Sequence, residues 1–251
     1  MAAPSLLPGR AGAGEPSYRD ELVELVRLIV TAGIPVGVVV AGLGSRLAML
    51  LLRVTSPDSV RGVTSDDGFT IGQVTLGGTY NLFVIGAAVG VIGAAAYIAV
   101  APWLVGPTWL RRTTVGLTAG VVVGSLLVHA DGVDFVLLTP RWLAIGLFVA
   151  LPVVMGVALA IALERAARPD AWAAQGSRRL VVPLVLTLVF LPSLPVTLVV
   201  ALIVAVLLPV RRALLRPLQE SAIGTFVVRA LFLTVPLGGS IALGQDLTAL
   251  Y

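Results

Sequence analysis

Six stretches of this chain contain neither a charged residue nor a histidine: Leu28–Ser45, Leu82–Trp109, Thr113–Val128, Trp142–Leu163, Leu180–Val210 and Ala230–Gln245. A helix that crosses the hydrocarbon core of a bilayer needs about 20 consecutive apolar residues, with a range near 17–25. Several of these blocks meet that length, and charged residues collect between them. Of the 251 residues, 12% are charged and 58% hydrophobic. A soluble domain carries about 25% charged residues, so this chain lacks the polar groups to cover a water-facing surface. The expected fold is all-α, a polytopic transmembrane bundle.

The blocks predict spans over about Leu28–Met49, Asn81–Val100, Thr113–Val128, Trp142–Leu163 and Phe226–Leu243. Asp20–Arg27 forms an interfacial lead to the first span, and residues 1–20 read as a disordered Ala/Pro/Gly lead with no signal peptide. Residues 21–251 form a single membrane domain. Leu180–Val210 is too long for one crossing, at about 46 Å of helix. Its centre, Leu191-Pro192-Ser193-Leu194-Pro195, favours a turn over a straight helix. Two shorter segments are expected there, as a hairpin or a re-entrant element, for about seven membrane segments in all. Cytoplasmic loops carry an excess of arginine and lysine. With the N-terminus inside and 180–210 turning back, twelve of the 17 arginines fall inside: Arg10, Arg19, Arg27, Arg111, Arg112, Arg165, Arg168, Arg178, Arg179, Arg211, Arg212 and Arg216. Arg46, Arg53, Arg61 and Arg141 fall outside. A single crossing of 180–210 spoils this bias. The C-terminus is then outside, and Arg229 snorkels to the inner headgroups.

Several chemistries are excluded early. All 17 basic residues are arginine, so there is no lysine for a P-loop or a Schiff base. No cysteine is present, which removes thiolate nucleophiles and cysteine-held metals. The net charge of +4 sits at span ends, where lipid headgroups rather than nucleic acid are the natural counter-ions. No cofactor and no metal site is expected.

Two features suggest contacts. Gly116, Gly120 and Gly124 recur at intervals of four in the third span, as do Gly86 and Gly90 in the second. Such strips let helix backbones approach closely, so these spans are expected to pack on each other or on another copy or partner protein. On the outer side, the long loop 54–79 contains Asp66-Asp67-Gly68, a turn signal flanked by apolar residues that predicts a small β-hairpin. Arg46 and Arg53 share a helix face, and His129, Asp131, Asp134 and Arg141 lie at the same side. Arginine is costly in hydrocarbon, so Arg46 is expected to pair with Asp66, Asp131 or Asp134. The cluster is either a polar lid or a site for a small solute or ion. One imidazole and two carboxylates are weak grounds for a metal. Ser125, four residues from His129, would need an orienting acid and an oxyanion hole to act as a hydrolase, and Gly42-Leu43-Gly44-Ser45 is not a nucleophile elbow.

The run Gly42-Leu43-Gly44-Ser45-Arg46-Leu47-Ala48-Met49, with Gly62-Val63-Thr64, Gly72, Thr75-Leu76-Gly77-Gly78-Thr79 and Asp131-x-x-Asp134-Phe135, resembles a group of uncharacterised multi-spanning bacterial membrane proteins frequent in actinobacteria. The likeness covers residues 37–165 and implies a bacterial inner-membrane protein, with no activity attached. The functional expectation is a non-enzymatic protein of the inner membrane that binds or moves a small solute or ion through the outer cluster. The alternative is a structural or accessory subunit that packs through its glycine faces, and the remote one an intramembrane serine hydrolase.

Overall fold

A computed structural model describes residues 17–60, 62, 74–129, 132, 135 and 137–250; among them the chain is helical, with no strand. The first element is continuous but not uniform: α1 (Tyr18–Val36), a π-helical stretch Gly37–Leu43 and α2 (Gly44–Thr55). Ser17 caps α1 by accepting from the Asp20 amide at 3.2 Å, with Asp20 and Glu21 in the first turn, where acids complement the helix dipole. Pro35 lacks the N–H that a regular turn needs, and the wider π turns begin two residues later. Then follow α3 (Leu76–Val100), α4 (Thr108–Leu127) and α5 (Arg141–Ala166). Thr75 caps α3 through the Gly78 amide at 3.0 Å.

The next segment breaks near the prolines at its centre. Helix α6 (Arg178–Val189) ends at Phe190, whose φ of −107° and ψ of 44° are not helical. A 3-10 turn, Leu191–Ser193, leads into α7 (Leu194–Val210), with Pro195 in its first turn, where a missing N–H leaves no bond unmade. A second π-helical stretch, Arg211–Leu215, a short α8 (Arg216–Glu220) and the long α9 (Ala222–Leu250) complete the chain.

Five helices are long and apolar enough to cross a membrane: Tyr18–Thr55, Leu76–Trp103, Arg141–Ala166, Leu191–Leu214 and Ala222–Leu250. The expected seven are thus reduced. Helix α6 has 12 residues, about 18 Å, too short for a core of about 30 Å. Helix α4 begins with Arg111 and Arg112 in its first turns, which shortens its apolar part. The β-hairpin expected around Asp66-Asp67-Gly68 lies outside the described residues.

The main core lies between α1, α3 and α5, centred on Leu28, Ile34, Val91, Ala94 and Leu163. A smaller core joins Leu52, Val128, Phe135, Ala144 and Leu250, with Phe135 and Phe148 edge to face at 5.1 Å. The glycines decide which helices meet, and not as expected. A Cβ on Gly33 would stand 2.7 Å from the Gly90 carbonyl oxygen, and one on Gly86 would stand 2.6 Å from that of Gly37. The strip on α3 therefore packs against α1 and its π-helical extension. Gly116, Gly120 and Gly124 face Val157, Val153 and Val149 of α5 instead. Both strips are used inside the chain, against partners other than each other.

Candidate functional site

The ionic groups gather at the end of the bundle where α1 begins. Glu21 is 2% exposed and receives Arg212 at 2.5 Å and Arg211 at 3.6 Å. One turn further, Glu24 receives Arg27 at 2.5 Å and Arg179 at 3.1 Å. Arg27, 3% exposed, also donates to the Ala166 carbonyl at the end of α5. So Arg179, in the first turn of α6, and Arg212, just after α7, meet acids three residues apart on α1. The segment from α6 to α7 is a hairpin with both ends at the same end of α1.

A second node joins three helices at this end. Arg112 of α4 bonds Glu164 of α5 at 2.5 Å, and the Tyr97 hydroxyl of α3 donates to the other oxygen of Glu164 at 3.1 Å. The buried Arg111 donates to the Ala101 carbonyl, and Arg229 of α9 to the Trp103 carbonyl at 3.0 Å. Arg229 is thus turned toward the end of α3.

The opposite end holds the described members of the expected cluster, Arg46, Arg53, His129 and Arg141. Arg46 donates to the Thr79 hydroxyl at 3.1 Å and the Thr75 carbonyl at 3.4 Å. Arg53, half-buried on the same face of α2, makes no hydrogen bond or ion pair among the described residues. His129 is exposed, with Nδ1 3.2 Å from the Leu127 carbonyl. Ser125 donates to the Val122 carbonyl rather than to His129. Arg141 donates to the carbonyls of Phe135 and Leu250, which ties the end of α9 to the start of α5. Ser56 brackets Thr139, donating to its carbonyl at 3.1 Å and accepting from its amide at 2.9 Å. Asp66, Asp67, Asp131 and Asp134 lie outside the described residues. Among the described residues no group of three His, Asp or Glu side chains assembles that could hold a metal.

Between the two ends runs a feature that the sequence reading did not foresee. Helix α3 packs on α1 and α5, while α4 packs on α5 and α9. The space between α3 and α4 is left as a cavity of about 1380 Å³, floored by α5 and flanked by α2 and α9. Its walls include Ile85, Val89 and Ile92 of α3, Thr118 and Val122 of α4, and Leu151 of α5. At one end it reaches Arg46 and Arg53, at the other Trp103 and Arg229, and among the described residues no Asp or Glu lines it. Leu82 to Val100 along its wall is about 27 Å of helix, close to the depth of the hydrocarbon core. Small-molecule pockets typically enclose about 300–1,000 Å³, so this one suits a long apolar guest. Compared with protein-family models, with curated proteins and with solved structures, the chain matches none.

Proposed function

We propose that this is a multi-pass protein of the bacterial inner membrane that holds the chain of a lipid in the cavity between α3 and α4. The observation that carries this reading is the cavity itself: apolar along its length, about as deep as the hydrocarbon core, and larger than a small solute needs. The N-terminus and the ionic end lie on the cytoplasmic side, as the distribution of arginines favours. Helix α4 then crosses alongside α5, the α6–α7 hairpin enters from the cytoplasmic face and returns to it, and the C-terminus lies outside.

The test is retention of lipid by the purified full chain. Native mass spectrometry after delipidation and addition of phosphatidylcholine should find one lipid per chain. Val89→Trp and Thr118→Trp, which fill the cavity from opposite walls, should abolish that species. Retention unchanged by both substitutions would overturn the reading. A small-solute or ion site at the other end has less behind it among the described residues, where Arg46 donates to a hydroxyl and a carbonyl and His129 meets only the Leu127 carbonyl. A subunit that packs on partners through its glycines is also less supported, since both strips are consumed within the chain.

A further inference from the structure

We infer that the lipid is anionic and that its phosphate sits at the Arg46–Arg53 mouth; this rests on the lipid-binding reading above. Among the described lining residues the charged groups are Arg46, Arg53 and Arg229, with no carboxylate beside them. An apolar slot with cations only at its ends fits an amphiphile with an apolar body and a negative head. Arginine matches phosphate through its planar fork of donors.

The two ends differ in how much of that donor capacity is spent. At the Trp103 end Arg229 is the one charged group among the described lining residues, and it uses Nε on the Trp103 carbonyl. The neighbouring arginines, Arg111 and Arg112, are committed to Ala101 and Glu164. At the other mouth two arginines lie on one face of α2, separated by seven residues, about two helical turns. Arg46 spends Nε and one Nη on Thr79 and Thr75, which fixes its side chain and leaves the other Nη. Arg53 makes no hydrogen bond among the described residues. An apolar chain entering beside Leu50 and Ile85 would run down the slot toward Ile92 and Met155, all of which line it. The occupant is therefore an anionic diacyl phospholipid drawn from the leaflet on the Arg46 side.

The experiment compares phosphatidylglycerol with phosphatidylcholine of identical chains, each added to the delipidated full chain and read by native mass spectrometry. Near an anionic lipid surface each arginine contributes about fivefold in affinity, so a preference of about 25-fold for phosphatidylglycerol is expected from the pair. Arg53→Gln should reduce it about fivefold, and Arg46→Gln with Arg53→Gln should abolish it. Arg53→Lys should keep most of it, while Arg229→Gln should leave it intact. Arg53→Gln breaks no hydrogen bond of the described fold, so its loss of preference cannot be blamed on unfolding. Equal retention of the two lipids by the unaltered chain would overturn this inference and leave the lipid-binding reading standing. Loss of preference in Arg229→Gln alone would overturn the placement of the phosphate. Retention of neither lipid, or a co-purifying helix in the slot, would overturn both.

Discussion

The acids of this chain are few, and the described ones inside the bundle each hold more than one arginine or helix. Glu21 and Glu24 together receive Arg27, Arg179, Arg211 and Arg212. Breaking a buried pair from one side costs about 3–5 kcal/mol, because it strands the remaining charge. For Glu21→Gln the lower end applies, since Arg211 and Arg212 remain about a quarter exposed and can turn to solvent. The expected result is a loosened hairpin: in detergent, trypsin should cleave after Arg211 and Arg212 several times faster than in the parent chain. Glu164 is more unusual. An acid in the last turn of a helix opposes the helix dipole, and here Arg112 and Tyr97 compensate it. A hydrogen bond to a charged group is worth about 1.5–3 kcal/mol, so Glu164→Gln should lower thermal stability by that order. Tyr97→Phe removes one bond to the same carboxylate and should cost about 1.5 kcal/mol, the lower end of that range, in the same melt.

At the scale of elements, close backbone approach sets which helices pair. Gly37→Ala or Gly86→Ala would drive a Cβ into the facing carbonyl, and overpacking of this kind costs about 1–3 kcal/mol. Gly146 and Gly238 are helical glycines with open space beside them, so alanine there should be neutral or gain up to about 1 kcal/mol. Thermal melts of the four variants in one detergent should separate into these two groups. The contrast explains what was legible in the sequence. That Gly86 and Gly90 mark a tight crossing follows from their spacing alone. That they meet Gly33 and Gly37, while Gly116–Gly124 meet the valines of α5, does not, because a strip of small residues says that something approaches but not what. The break near Pro192 was legible for the opposite reason: proline acts on its own backbone and needs no partner. The ionic end was harder to see. Glu21, Glu24 and Glu164 sit beside span ends, where a charge is ordinarily solvated, and only the fold brings arginines from four helices onto them. The cavity was least legible of all, since a gap between helices leaves no residue type as its mark.

For the whole molecule, orientation is the property on which the rest depends. The two ends differ in kind: seven arginines (Arg27, Arg111, Arg112, Arg179, Arg211, Arg212 and Arg229) bond at the end with Glu21, Glu24 and Glu164. At the end with Arg46, Arg53 and Arg141, the described partners of Arg46 include the Thr79 hydroxyl and the Thr75 carbonyl, and those of Arg141 the Phe135 carbonyl. The arginine bias favours the first as cytoplasmic. Because the chain contains no cysteine, a single introduced thiol reports its side of the membrane without background. In intact cells a membrane-impermeant maleimide should label His129→Cys and Thr248→Cys. Gln175→Cys and Gln219→Cys should stay protected until the membrane is opened. Gln175 and Gln219 flank the α6–α7 hairpin, so they must behave alike if both of its ends lie on one side. Labelling of Gln219→Cys from outside, with Gln175→Cys protected, would make the segment a single crossing, at odds with Arg179 and Arg212 meeting neighbouring turns of α1. Labelling of Gln175→Cys and Gln219→Cys with protection of His129→Cys and Thr248→Cys would invert the protein, and the arginine pair proposed to hold a phosphate would then face the cytoplasmic leaflet.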